Sequence, residues 1–344
     1  MPTQAFENEF EFVRWLRGIA PAQRGRVKLG IGDDAALIGV GRGHELILTT
    51  DLSIGGIHFL PSIHPPRSVG HRALARSLSD IAAMGGTPRF ALISLALSRR
   101  TTRRWVEEFY GGLLDLAGRF GVALIGGDTA VVPGRTAIDA IVCGEAPVTR
   151  ALRRSGARPG DHIFVSGLVG LSALGLRLLR HHRKSARNFR PATTPSAAIT
   201  DEAALAHLYP QPRCGLGNFL ARRRLASAMI DVSDGLSTDL AHLCAASGVG
   251  AHLWEERIPG PSRSQGAISQ DDARKLALHG GEDYELLFTI PRGRAARLPH
   301  HHRGIPLTCI GEIQRSKDLV LVRCDGKTQE LYPAGWDYFR DSNH

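Results

Sequence analysis

A chain of 344 residues, 43% hydrophobic but only 6% aromatic, holds enough apolar mass for one large or two ordinary globular domains, and two is the expectation. Its best apolar run, Phe90 to Leu97, has strand length and falls far short of the roughly 20 residues that cross a bilayer, so no membrane partner is expected. The formal net charge of +10 comes almost entirely from arginine; it suits a nucleic acid or an anionic metabolite, but helix-like stretches such as Arg99 to Arg104 favour a solvated surface over nucleic acid.

Cys143, Cys214, Cys244, Cys309 and Cys324 form an odd, scattered set without a C-x-x-C pair, which argues against a disulfide framework or a zinc site. The start of the chain, MPTQAFENEFEF, is acidic and lacks the basic and apolar regions of a secretory leader, so the expected compartment is the cytoplasm.

In chain order, Glu45 to Thr50 reads as a strand and Pro65 to Gly86 as a helix with Leu74, Leu78 and Ile81 on one face. Phe90 to Leu97 is a second strand, and Thr101 to Gly121 a helix presenting Trp105, Phe109, Leu113 and Leu116. Val122 to Ile125 and Thr136 to Cys143 complete the strands of a first α/β domain, residues 1–148. The boundary falls in Glu145 to Asp161, polar, Arg-rich and punctuated by Pro and Gly.

From His162 the pattern restarts: a strand, a helix to about Arg180, a polar stretch from Arg183 to Pro195, a helix around Gly217 to Ser227, then strand, helix and strand. Low hydrophobicity makes the polar stretch an expected mobile surface loop, because it cannot offset the entropy of ordering. The second domain, residues 149–344, is thus also α/β, and the fold class is α/β with mixed sheets in two domains.

Against the basic background, acidic clusters beside glycine recur: Gly32-Asp33-Asp34, Thr49-Thr50-Asp51, Ser79-Asp80, Gly126-Gly127-Asp128-Thr129, Asp231-Val232-Ser233-Asp234-Gly235 and Gly280-Gly281-Glu282-Asp283. Most are expected where a strand or helix hands over to a loop, where α/β folds keep their chemistry. Any one could be a turn pair or a helix cap, as Asp231 to Gly235 could be. Six in a basic chain favour a functional set. Carboxylates about 4 Å apart repel by roughly 4 kcal/mol at an effective dielectric of 20, so a group of them needs cations. Carboxylates with hydroxyls, and no nearby His or Cys, suit magnesium rather than zinc.

Competing phosphate sites are missing. No G-x-x-x-x-G-K-[ST] loop occurs, and no H-R-D loop with a downstream D-F-G. Gly30 to Ala35 resembles a dinucleotide turn only weakly, since a strand and turn rather than a helix should follow. The triplet His300 to His302 is expected to be a solvated loop.

In this order the clusters resemble the thiamine-monophosphate kinases, in the superfamily that includes aminoimidazole ribonucleotide synthetase and selenophosphate synthetase. The resemblance covers GIGDDAAL at 30–37, TTD at 49–51, GIHFLP at 56–61, LSDIAAMGGTP at 78–88 and LIGGDT at 124–129. It continues through RSGARPGD at 154–161, IDVSDGL at 230–236, GGEDYELLFT at 280–289 and GWDYF at 335–339.

The resemblance implies an N-terminal α/β domain for ATP, metal and dimerisation, whose strands pair with those of a second subunit, and a C-terminal domain completing an active-site cleft. It implies ATP-dependent phosphorylation of thiamine monophosphate to thiamine diphosphate by a homodimer. Asp34, Thr49, Thr50, Asp51, Asp80, Asp128, Asp231 and Asp234 would hold several Mg2+ ions. Tyr110, Gly127, Asp128, Arg154 and Ser233 would contact ATP, and His58, Glu282 and Trp336 the thiamine phosphate.

The residue chemistry agrees, because phosphoryl transfer to an acceptor that is already a phosphate needs positioning and charge neutralisation, not a covalent nucleophile. Three positions depart from the family's pattern: Gly55 where Glu is usual, Tyr209 where Arg is usual, and Leu171 in a segment that commonly carries an acid. The alternatives are another ATP-dependent enzyme of the same superfamily with a different small acceptor and, more weakly, a basic nucleic-acid-binding protein.

Overall fold

The computed structural model describes residues 9–20, 26–29, 31, 37–181, 195–261 and 268–336. Asp34 and most of the Arg183–Pro195 stretch lie outside them. The described residues fall into two units: unit 1 runs to Ile81 and takes Gly86–Thr149, and unit 2 takes Ala82–Gly85 and the described chain from Arg150 onward.

Unit 1 contains α1 (Glu9–Ile19), β1 (Val27–Leu29), β2 (Leu37–Ile38), β3 (His44–Ile54), α2 (Pro66–Ala83), β4 (Thr87–Ser98), α3 (Arg103–Phe120), β5 (Ala123–Val132) and β6 (Ala137–Pro147). β1 pairs with β2, and the larger sheet has the order β3-β6-β4-β5, antiparallel except between β4 and β5. The strands outrun the apolar runs that announce them. β3 pairs with β6 from His44 to Ile54, so ladder hydrogen bonds carry Thr49, Thr50 and Asp51 within the strand.

The two helices behave as their spacing dictates. Leu74, Leu78 and Ile81 of α2 and Phe109, Leu113 and Leu116 of α3 are buried. Thr102 caps α3 by accepting the Trp105 N–H at 3.2 Å, and Gly121, at φ 66°, closes it in the left-handed conformation. Where α2 and α3 meet, their backbones touch. A Cβ on Gly70 would stand 1.9 Å from the Phe109 carbonyl oxygen, and one on Gly112 1.9 Å from that of Arg67.

Unit 2 contains β7 (His162–Ser166), α4 (Leu171–His181), α5 (Pro195–Leu208), α6 (Cys214–Arg222), β8 (Ala228–Val232), α7 (Leu236–Ser247), β9 (Gly250–Trp254), α8 (Gln270–His279), β10 (Glu285–Ile290), α9 (Arg292–Ala295), β11 (His301–His302), β12 (Ile305–Gln314), β13 (Leu319–Val322) and β14 (Thr328–Glu330). Its sheet runs β14-β13-β9-β12-β7-β10-β8, with β11 on β12, and is antiparallel except between β9 and β13. Leu236, Leu240 and Leu243 of α7 share one core with Ile163, Val165, Ile230, Leu287 and Ile310.

One expectation changes here and another holds. The histidine triplet is not simply a solvated loop, because His301 and His302 form β11 and the His302 ring sits 4.8 Å from that of Phe219. Cys214 and Cys244 are buried, and burial pushes both thiols up to about 12, which makes them packing residues.

The helix contact gives a direct test. Gly112→Ala should destabilise the protein by about 1–3 kcal/mol through overpacking, whereas Gly118→Ala on the same helix, with open space around it, should be neutral or stabilising. Thermal melting of the two variants reads the difference; equal effects would mean that the helices can separate at no cost.

Candidate active site

In unit 1 the side chains of α2 meet those of β3. Ser77 donates to Asp51 Oδ2 at 2.8 Å, Thr49 donates to Asp80, and Arg76 pairs with Asp51 Oδ1 at 3.5 Å. Ser77 and Asp80 are three apart on a helix, and Thr49 and Asp51 two apart on a strand, so each pair shares a face. Asp51, Asp80 and Asp128 lie inside β3, α2 and β5 rather than at the loop ends expected for them.

Register divides the unit 1 candidates. Asp51 lies in a row with Ala140, Ile93 and Gly127, whereas Asp128 lies in the next row with Ser94, Asp139 and Leu52. Alternation puts the two rows on opposite faces of the sheet. Thr50 belongs with the second, donating to Asp139 at 2.5 Å. Thr49, Asp51 and Asp80 therefore form one group, and Thr50 and Asp128, with Asp139, another. Among the described residues no three His, Cys, Asp or Glu side chains gather at one point. Every donor is a carboxylate or hydroxyl oxygen, which fits Mg2+ in kind.

Of the nucleotide candidates in unit 1, Gly127 occupies a place that admits no side chain, since a Cβ would stand 1.9 Å from the Ile93 carbonyl oxygen. Tyr110 is 1% exposed, packed against Phe12 and Trp15 of α1 and against Phe109, and burial pushes its hydroxyl far up. His58 sits in the turn after β3, where its Nδ1 accepts the Ile54 N–H at 3.0 Å, so the proton of the neutral ring is on Nε2.

In unit 2 the loop from Ser233 to Gly235 joins β8 to α7, and one residue shapes it. Asp239 Oδ2 accepts the N–H groups of Ser233 (3.1 Å), Asp234 (3.1 Å) and Gly235 (3.0 Å). The helix-capping reading of Asp231 to Gly235 is thereby corrected: Gly235 is the N-cap and contributes no side chain. Asp239 is buried, and its carboxyl is held well above the usual range by burial first and then by the charges of Asp231 and Asp234.

Two distant segments reach the same loop and the strand end before it. Glu282 N–H donates to the Ser233 carbonyl at 2.7 Å, Tyr284 N–H to that of Val232 at 2.9 Å, and Trp336 N–H to that of Asp234 at 3.0 Å. Ser233, Asp234, Glu282 and Trp336 are thus brought together. Asp231 is next to them at the buried end of β8. Arg154 is not: its carbonyl accepts from Ser247 at the opposite end of α7, about 18 Å of helix away.

The segment holding Glu282 is strained and well anchored. Glu282 (φ 67°) and Tyr284 (φ 52°) both adopt the left-handed conformation without being glycine. Between them Asp283 accepts N–H groups from Gly170 (2.6 Å) and Ser172 (3.0 Å) at the start of α4. Burial of its carboxyl outweighs those donors and, with Glu285 and Glu282 nearby, pushes it up to about 8. Glu285 accepts from Ser166 and from Arg213, the latter through Nε at 2.7 Å. Sequence reasoning missed Asp139, Asp239, Arg213 and Glu285; a lone acid opening the apolar strand ELLFTI was the one available signal.

Residues 32–146 match the family described as AIR synthase related protein, N-terminal domain, and residues 158–322 its C-terminal domain. The chain belongs to the AIR synthase related proteins. It is 39% identical over 316 residues to the thiamine-monophosphate kinase of Escherichia coli (strain K12), spanning 91% of this chain and 92% of that one. Among solved structures, thiamine-monophosphate kinase from Stenotrophomonas maltophilia K279a is similar at TM-score 0.78 and 35% identity, over 92% of this chain and 95% of that one. AaThiL complexed with AMPPCP and TMP is similar at TM-score 0.73 and 31% identity, over 95% and 96%. Within the wider class, the chain is a member of the thiamine-monophosphate kinase family.

Asp283 makes stability depend on pH. Its carboxyl keeps a proton up to about pH 8 in the folded chain but releases it near pH 4 when unfolded. The folded state therefore binds more protons across that window, and the residue's contribution falls as pH rises through it. The melting temperature of Asp283→Asn relative to wild type should rise between pH 5 and pH 9; a constant difference would refute the shifted carboxyl.

Proposed function

We infer that this chain transfers the terminal phosphoryl group of ATP to thiamine monophosphate, giving thiamine diphosphate, as a kinase of thiamine diphosphate biosynthesis in the cytoplasm. The observation that carries the reading is the 39% identity with the Escherichia coli kinase across 91% of the chain. AaThiL, similar over 95% of the chain, is complexed with AMPPCP and TMP.

In this reading residues 1–148 bind ATP and metal and form the dimer, and residues 149–344 complete the site. Thr49, Asp51 and Asp80, with Thr50 and Asp128, would hold Mg2+ in unit 1, and Asp231 and Asp234 would do so in unit 2; the same role is assigned to Asp34, which lies outside the described residues. When bound, Mg2+ supplies neutralisation of phosphate charge. Arg76 balances Asp51 in the protein itself. Gly127, Asp128, Arg154 and Ser233 serve ATP. His58, with its proton on Nε2, donates to the acceptor phosphate, Glu282 faces the organic cation, and Trp336, half exposed, offers that cation a flat ring.

Purified protein with ATP and Mg2+ should form ADP and thiamine diphosphate from thiamine monophosphate, with little product from free thiamine or aminoimidazole precursors. In the same assay Asp51→Asn, Asp128→Asn and Asp231→Asn should each lower turnover at least about a hundredfold, roughly 2.7 kcal/mol of transition-state stabilisation. Phosphorylation of thiamine but not of its monophosphate would overturn the substrate. Near-normal turnover in all three variants would overturn the aspartate mechanism.

The reading includes a homodimer formed through unit 1. In support, β3 and β5 are the edges of its sheet, and Leu46, Leu48 and Leu52 on one face of β3 are 42%, 67% and 52% exposed. Light scattering at micromolar protein should report twice the chain mass, and the double variant Leu48→Asp, Leu52→Asp should halve it. A fully active wild-type monomer would contradict the assembly.

A further inference from the structure

Glu282 is held in place from three sides. Its backbone is in the left-handed conformation (φ 67°), and its N–H is tied to the Ser233 carbonyl at 2.7 Å. Its carboxylate Oε2 lies 3.6 Å from Nδ1 of His207, whose side chain is 1% exposed while that of Glu282 is 30% exposed. The same Nδ1 is 3.0 Å from Ser172 Oγ. Ser172 in turn gives its backbone N–H to Asp283, the residue after Glu282, at 3.0 Å. Glu282, Asp283, Ser172 and His207 thus close a ring of contacts whose solvent-facing member is the Glu282 carboxylate.

We propose that His207 is a positioning residue that fixes the direction of the Glu282 carboxylate toward the acceptor substrate. The proposal rests on the reading of Glu282 as an acceptor contact. Thiamine monophosphate carries a permanently cationic ring, and a carboxylate pairs with a fixed cation best when its orientation is set beforehand. Glutamate has three rotatable bonds, and a half-exposed one loses that freedom only if something inside the fold grips its end. His207 can do so because its own ring is immobilised: it is buried on α5, and Ser172 at the start of α4 meets the edge that faces Glu282.

The amide nitrogen of asparagine can replace Nδ1 of histidine, whereas that of glutamine replaces Nε2. His207→Gln should therefore raise KM for thiamine monophosphate about tenfold with KM for ATP unchanged, while His207→Asn stays within about threefold of wild type. Glu282→Gln should raise the same KM, and the double variant Glu282→Gln, His207→Gln should be no worse than the poorer single.

An unchanged KM for thiamine monophosphate in Glu282→Gln overturns the reading of Glu282 itself. A raised KM in Glu282→Gln with none in His207→Gln overturns the proposal alone. A His207→Asn as impaired as His207→Gln, or an equal rise in KM for ATP, shows a packing role and also overturns it. Should His207→Gln fail to fold, Ser172→Ala, which removes a hydrogen-bond partner of Nδ1, carries the test. A raised KM for thiamine monophosphate supports the proposal, and a wild-type value overturns it.

Discussion

A single carboxylate oxygen, Oδ2 of Asp239, accepts the N–H groups of three successive residues, Ser233, Asp234 and Gly235. Three converging donors define the curvature of a loop far more tightly than one cap would, and here they converge on an acceptor within the helix the loop leads into. The carbonyls of that loop and of the strand end before it then face outward as acceptors. Glu282, Tyr284 and Trp336 each dock a backbone N–H onto them. Remove the anchor and there is no fixed edge for the later segments to join. The cost is a buried acid beside Asp231 and Asp234, which is why its proton is held so firmly.

Unit 1 solves a different problem, that of presenting polar groups from the interior of regular elements. Ser77 and Asp80 face β3 because α2 is oriented by its contact with α3, and that contact is between backbones at Gly70 and Gly112. Such close approach leaves little freedom for rotation of the helix. The hydroxyls of Thr49 and Ser77 and the guanidinium of Arg76 then meet the carboxylates that the sheet and helix present.

The segment around Asp283 shows how strain is met locally. Two non-glycine residues in the left-handed region cost about 1–2 kcal/mol each. Against this stand two backbone hydrogen bonds to the end of β8 and two from the start of α4 to Asp283. The strained geometry is over-determined by two separate elements, the condition under which such conformations persist at functional positions.

By itself the sequence determined the two α/β halves, the buried stripes of α2 and α3, the absence of a P-loop, and the glycine-flanked acids by which the family can be recognised. These are local properties, because apolar period reports which side of an element is buried and a motif reports its own residue types. Only the tertiary structure decided that Asp51 and Asp128 lie on opposite faces of a sheet, since that depends on register among strands far apart in the chain. It also decided that α1 covers Tyr110, that Arg154 and Ser233 stand at opposite ends of α7, and that Trp336 meets Asp234. Asp239 and His207 were illegible for the same physical reason: each looks like an ordinary helix residue until the hydrogen-bond donors and acceptors of other segments arrive beside it.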